Sequence, residues 1–288
     1  MKTFSIGIIG GSGLYDLDNL SNFQEHIINT PFGVPSDPII TGTIDGIPVA
    51  FLSRHGKGHR LIPSKIPFRA NVYALKTLGV KYLLSVSAVG SLRESIKPLD
   101  IVLPSQYLDF TKNRVSTFFD EGVVAHISMA EPVCTTLSSI VKKSIENVIK
   151  EQTLQVHDNK TYICIEGPQF STVAESNYYR LINADVIGMT NMPEAKLALE
   201  AQMAYCSIAF VTDFDCWHPK EENVSVSLAI ENLHKNIHLA KIIIQESIHN
   251  IHTTLPATKA HHSLKNAIVT ELSTLNTEYK EIIDVLLA

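Results

Sequence analysis

The chain has 288 residues, 45% hydrophobic and 18% charged, with a formal net charge of −5. With a mean hydropathy of +0.10 this excludes a disordered chain, which needs low hydrophobicity and high charge. The mildly acidic balance argues against a nucleic-acid protein built on a broad basic surface, and no apolar run approaches the roughly 18 residues of a membrane helix.

Phe4–Ile9 is rich in β-branched residues and runs into Gly10 and Gly11, the pattern of a buried strand entering a turn. The stretch to Leu14 faintly resembles a secretion signal. Gly7, Gly10, Gly11 and Gly13 interrupt it, Asp16 and Asp18 follow, and no small-x-small cleavage site is present, so we reject that reading. Pro38–Ile44 and Ile47–Leu52 flank Asp45-Gly46, a hairpin signal. Ile66–Leu78 reads as a helix stopped by Gly79. Tyr82–Val86 reads as a strand followed by the small residues Ser87 to Ser91, and Asp100–Leu103 as a strand closed by Pro104. Val133–Ile149 has apolar residues at helical spacing, with Lys142 and Lys143 on the wet face. Thr161–Ile165 reads as a strand, Thr172–Leu181 and Glu194–Met203 as helices, Ser207–Val211 as a strand and Val226–Ile251 as a long amphipathic helix.

Strands alternating with helices indicate an α/β fold. Residues 1–251 contain neither a linker nor a repeat of roughly 20–50 residues, which favours one domain, within the ~250–300-residue limit of a single core. Thr253–Ser263 is polar and Leu264–Leu287 amphipathic, as expected of an appendage docked on the main body or on a neighbouring subunit. The expected division is therefore 1–252, a catalytic domain, and 253–288, a C-terminal helical appendage. Cys134, Cys164, Cys206 and Cys216 contain no C-x-x-C, which points to reduced thiols in a cytosolic protein rather than zinc ligands or disulfides.

Four stretches can carry chemistry. Gly10-Gly11-Ser12-Gly13 follows a strand; it either cradles an anion with backbone N–H groups and the Ser12 hydroxyl or forms a plain turn. It fits neither a dinucleotide fingerprint nor a P-loop. Ser53-Arg54-His55-Gly56-Lys57-Gly58-His59 concentrates donors beside glycines. Arg54 offers a fork suited to phosphate, and His55 can donate or titrate near neutrality; a solvated basic loop is the plainer alternative. His55 and His59 lack an acidic third ligand, and the intervening glycines disfavour a helix, so no metal is expected. Ser87-Ala88-Val89-Gly90-Ser91 permits close approach of a ligand, or is a tight packing turn. Asp213 and Asp215 end a strand, where extended geometry would point both carboxylates to one side. They can hold a metal, act as acid and base, read a polar ligand edge, or cap a helix. Together, three anion-binding loops and one acidic pair at strand ends indicate an enzyme that combines phosphate with a ligand presenting N–H groups or basic nitrogen.

These motifs resemble the trimeric branch of the purine nucleoside phosphorylase family, specifically its members that cleave 5′-methylthioadenosine. The resemblance covers residues 5–250 through eight ordered blocks. They are Gly10 to Leu14, Ser53 to Gly56, Pro63 to Lys65 with Arg69 to Asn71, Ser87 to Leu92, Met129 to Pro132, Ile165 to Phe170, Gly188 to Glu194, and Thr212 to Trp217. It implies one domain with a central mixed, twisted β-sheet flanked by helices. It also implies cleavage of an N-glycosidic bond by inorganic phosphate, giving adenine and 5-methylthioribose 1-phosphate.

By that resemblance Ser12, Arg54, His55, Ser87, Ala88 and Thr190 match phosphate positions, Met189 packs under the ribose, and Phe170 lies against the purine. Asp213 and Asp215 match base-reading carboxylates, and His126 a residue that the neighbouring subunit lends to the 5′ end. Relatives acting on 6-oxopurines carry a glutamate and an asparagine where Ser171 and Asp213 stand, and a histidine for the ribose hydroxyl where Val226 stands. Adenine has no N1–H for that glutamate but offers an N6 amino donor, and mispaired buried groups discriminate by ~10⁴. Close relatives of this specificity often carry asparagine at the position of Gly188. No metal or organic cofactor is implied, phosphate being a co-substrate; a trimer or a dimer of trimers is. The rivals are a methylthioinosine or 6-oxopurine nucleoside phosphorylase and, from another class, a nucleoside hydrolase or a non-catalytic nucleoside-binding protein.

Overall fold

The β-branched runs build nine strands in the computed structural model, which describes residues 4–11, 20–120, 122–219 and 225–288. They are β1 (Ile6–Gly10), β2 (Ser21–His26), β3 (Ile39–Ile44), β4 (Ile47–Ser53), β5 (Tyr82–Ser91), β6 (Ile101–Phe110), β7 (Val156–Ile165), β8 (Val186–Gly188) and β9 (Ala204–Asp213). The helices are α1 (Phe68–Thr77), α2 (Thr135–Val148), α3 (Val173–Leu181), α4 (Asn191–Glu200), α5 (Val226–Thr254) and α6 (Thr277–Leu287). The sheet order is β2-β3-β4-β1-β5-β8-β7-β6-β9, and β9 pairs back onto β5. Five strands thus close a ring, and β1 to β4 extend from it. Parallel and antiparallel pairs mix, as expected.

Side-chain alternation divides the core. From β5, Tyr82, Leu84 and Val86 pack with Leu137 and Val141 of α2 and Ile243 and Ile244 of α5. Leu83 and Val89 face the opposite layer, with Val72 and Leu75 of α1, Ala195 and Ala198 of α4, and Ile282 and Leu286 of α6. Covered on both faces, β1 and β9 are buried throughout, which explains their near-continuous apolar sequence. A smaller cluster under α3 joins Leu92, Ile163, Tyr179 and Ile187.

Several elements differ from the sequence expectation for identifiable reasons. β5 continues through Ser87 to Ser91, because Ser87, Ala88 and Val89 keep pairing with Ala209, Phe210 and Val211 of β9. β6 passes Pro104 through register shifts on both sides of it, a bulge that tolerates the missing N–H. α4 starts at Asn191 rather than Glu194, with Pro193 in its first turn. β2 is an edge strand, exposed from Ser21 to Glu25 and mostly polar around Phe23, without alternation, and β8 has three residues, too few for a period; neither was expected. Asp45 and Gly46, both at positive φ, make the expected hairpin turn.

The C-terminal segment is helical only from Thr277; before it lie 3₁₀ turns at Lys259–His262 and Leu272–Thr274. It packs on the main body. Leu264, Leu275, Ile282, Ile283 and Leu286 share the α1–α4 core, Ile268 bridges Ala125, and His126 N–H donates to the Ala267 carbonyl.

The last residue of α4, Glu200, is 5% exposed and anchors a core insertion, accepting from Thr117 Oγ1 and from Phe118 N, both at 2.7 Å. Burial pushes its carboxyl up to about 7. A raised folded pKa favours the protonated carboxyl, so this group's contribution is full near pH 4.5 and is lost as pH rises to about 7. Glu200→Gln is expected to melt like the wild type at pH 5 and higher than it at pH 8, by on the order of 2–3 kcal/mol at most. Equal shifts in thermal melts at the two pH values would refute the titration account.

Candidate active site

β4 delivers Arg54 into the centre of the molecule, where it is 1% exposed. Its Nε and Nη2 donate to Glu194 Oε2 and Oε1 at 2.7 and 3.1 Å, a bidentate pair reaching across 140 residues. Nη2 also lies 2.8 Å from Ser85 Oγ, and Nη1 donates to the Val86 carbonyl at 2.9 Å. Glu194 Oε1 further accepts from Ser85 Oγ at 2.6 Å and from Tyr205 OH at 2.9 Å. Asn191 extends the network, donating to Tyr205 OH and accepting from Ser87 Oγ at 3.3 Å. The Arg54 fork therefore faces Glu194. One Nη1 hydrogen remains at the wall of a cavity of about 720 Å³.

That cavity is lined at one end by Gly11, Arg54, His55, Ser87, Ala88 and Thr190, and at the other by Phe170, Ser171, Asp213 and Asp215, with Met189 between. Every site residue read from the sequence whose side chain is described lines it, except His126. His126 is exposed, away from its own chain's cavity, on the segment tied to Ala267. Ser12 and the side chain of Val226 lie outside the described residues.

His55 Nδ1 lies 2.9 Å from the Leu61 carbonyl, which assigns the proton to Nδ1 and leaves Nε2 as an acceptor. The ring stacks on His59 with centroids 4.1 Å apart. Burial, with the Arg54 charge adding to it, pushes His55 down to about 4 despite its bond to Leu61. It is thus neutral at pH 7 rather than titrating there, as its sequence setting had led us to expect.

At the other end β9 stops at Asp213, and Asp215 takes positive φ. A turn, not continued extension, brings the two acids together, and no helix starts there to be capped. Asp213 Oδ1 accepts from Asp215 N at 2.8 Å, and Oδ2 lies 2.7 Å from Thr212 Oγ1. Thr212 Oγ1 is also 3.3 Å from the Val89 carbonyl, so its hydroxyl can serve either protonation state of Asp213. Burial raises both acids, Asp213 to about 6. Among the described residues no cation pairs with either.

The loops bearing these groups are braced. Trp217 donates to the Ser91 carbonyl at 2.8 Å, and the Arg180 guanidinium sits 3.7 Å above its ring. Gly167 has φ +65°, a conformation that favours glycine, and a Cβ there would lie 2.5 Å from Met189 Sδ. At Gly188 a Cβ would meet the Tyr162 hydroxyl at 2.0 Å; the tyrosine fills the space a side chain would need. The roles of Glu194, Ser85 and Tyr162 escaped sequence reasoning, since each acts through a partner far away in the chain.

Removing one partner of a buried ion pair strands the other charge at a cost of ~3–5 kcal/mol. Glu194→Gln is expected to lower stability by that order, and Ser85→Ala by about 1 kcal/mol. Denaturant titration of the two variants checks the ranking; equal effects would contradict it.

Comparison with known proteins bears on this site. Residues 5–249 match the family model of the phosphorylase superfamily. The S-methyl-5′-thioadenosine phosphorylase of Thermosynechococcus vestitus is 53% identical over 287 residues, covering 99% of each chain. The crystal structure of a methylthioadenosine phosphorylase from an antarctic soil metagenomic library aligns at a TM-score of 0.95 and 53% identity, over the whole of both chains. A serine-to-threonine variant of the adenosine/methylthioadenosine phosphorylase of Schistosoma mansoni, solved in complex with methylthioadenosine, aligns at 0.82 and 32% identity, covering 99% of this chain and 98% of that one. With the family model spanning most of its length and such relatives matching it nearly end to end, the chain belongs to the phosphorylase superfamily, in its methylthioadenosine phosphorylase family.

Proposed function

We propose that the protein catalyses phosphorolysis of 5′-methylthioadenosine, releasing adenine and 5-methylthioribose 1-phosphate. One observation carries the reading: a buried carboxyl pair with no cation partner among the described residues, Asp213 raised to about 6, stands at one end of a cavity whose other end holds Arg54, Ser87 and Thr190. The names and bound ligands of the relatives support it.

As adenine departs, the ribosyl centre becomes oxocarbenium-like and negative charge gathers on the base. Protonated Asp213 donates to N7 and neutralises it. The backbone N–H of Asp215 steadies Asp213, while the Asp215 carboxylate accepts from the N6 amino group. Ser171 presents no carboxylate to N1, so adenine is favoured over 6-oxopurines. Phosphate attacks from the opposite face. Neutral His55 accepts the phosphate O–H at Nε2, while the remaining Arg54 hydrogen, Ser87, Thr190 and the Ala88 backbone orient its other oxygens, with Ser12 expected to join them. Phe170 and Met189 hold base and ribose, and Val226, by the family resemblance, is expected to face the methylthio group. No cofactor enters. The protein works as a trimer or a dimer of trimers, in which His126 reaches the neighbouring site, in the cytoplasm, in purine and methionine salvage.

The test is release of free base from methylthioadenosine, methylthioinosine and adenosine, with and without phosphate. Phosphate-dependent release of adenine, fastest from methylthioadenosine, is expected. Phosphate-independent release would mean a hydrolase, and preference for methylthioinosine would reverse the base assignment.

Asp213→Asn is expected to lower kcat/KM by about 10²–10⁴-fold. The active form carries the proton, so wild-type kcat/KM falls as pH rises through about 6, and the residual activity of the variant lacks that limb. A pH profile of both enzymes decides this; an unchanged limb in the variant would discard Asp213 as the acid.

A further inference from the structure

Arg114 follows β6 and has no part in the reaction as proposed, yet its side chain is 1% exposed. All five of its N–H donors are used. Nη1 donates to the carbonyls of Met189 and Met192 at 2.7 and 2.6 Å. Nη2 donates to those of Glu166 and Ile165 at 2.8 and 3.3 Å, and Nε to Glu166 Oε1 at 3.4 Å. Glu166 answers by accepting from the backbone N–H groups of Lys112 and Asn113 through Oε2. The guanidinium also lies 5.5 Å from the Phe68 ring.

The carbonyls it gathers lie just past the last β7–β8 pair, Cys164 with Gly188, on two diverging segments. One runs from the end of β7 at Ile165 towards Phe170; the other runs from β8 through Met189 and Thr190 into the start of α4 at Met192. A chain that needed only to fill this space would use an apolar side chain, because burying a guanidinium is costly unless every donor is met. The planar fork instead matches four carbonyls and a carboxylate at once, which a lysine with three donors cannot do.

We propose that Arg114 is a positioning residue that fixes the base wall against the ribose and phosphate wall, so that both substrates are held in one geometry. The proposal rests on the function given above for its kinetic arm only. Arg114→Lys is expected to fold, to raise the KM for phosphate and for nucleoside together, and to lower kcat/KM about 10–100-fold, the order of loss that a misplacement near 1 Å brings. Arg114→Ala should lose more, and millimolar ethylguanidinium should restore at least about a tenth of the loss without changing the wild type.

A substrate-free arm separates the two hypotheses. Amide hydrogen exchange at residues 165–170 and 188–192 should quicken in both variants, while exchange in β5 and β9 stays at the wild-type rate. Faster exchange at those loops upholds the clamp even if the wild type proves inactive on methylthioadenosine. Wild-type exchange there, a lysine variant with both KM values unchanged, or an alanine variant whose loss follows its unfolded fraction without guanidinium rescue, would each overturn it.

Discussion

The buried pair between Arg54 and Glu194 is the interaction on which the site depends. Two opposite charges 2.7 Å apart in an apolar interior attract strongly, but removing both from water costs about as much, so such a pair is weak evidence for stability. Its effect is geometric. Arg54 arrives from β4, Glu194 from α4, Ser85 and Val86 from β5, and Tyr205 from β9. Each is satisfied only when the others are in place. The network therefore fixes where the strand ends stand before any ligand binds, and the cationic end of the cavity is preorganised by a carboxylate that never meets the substrate.

The two ends solve opposite problems with burial. At one end burial keeps His55 neutral and most of the Arg54 donors go to the protein, so the phosphate proposed to bind there would meet a few hydrogen bonds rather than a strong free cation. At the other end burial favours the protonated form of Asp213 and outweighs the hydrogen bonds from Thr212 and the Asp215 N–H, with no cation paired to it among the described residues. Both adjustments follow from desolvation with little charge pairing of the titrating group. Net charge and patch counting report neither, which is why an acidic balance does not argue against the phosphate site proposed here.

What could be read from the sequence followed from local chemistry. Buried strands showed as β-branched runs, the hairpin as Asp45-Gly46, and the cavity residues as small or polar groups at strand ends. What escaped depends on distance in the chain. Nothing near Arg54 announces Glu194, and nothing near Arg114 announces the carbonyls of Met189 and Met192. Pro104 looked like a strand end because proline usually is one; only the neighbouring β7 and its register shift carry the strand on. The polar edge strand β2 and the three-residue β8 lack the periodicity by which strands are recognised. The C-terminal amphipathic stretch gave a hydrophobic signal without a helix over its first half, because irregular chain there buries Leu264, Ala267 and Leu275 without helical periodicity.

β5 has a consequence of its own. Ser87 beside the Arg54 network and Gly90 beside Asp213 lie on this one strand, three residues apart. At about 3.3 Å per residue that interval is ~10 Å. The strand is thus a ruler whose graduations are peptide units, and it sets the span between the two ends of the cavity. A loop could stretch or shorten that span with temperature or ligand. Ser87 to Gly90 is held along β9, and Gly90 pairs with Ile187 of β8 as well, so the separation of the two ends of the cavity is written into the backbone of the sheet.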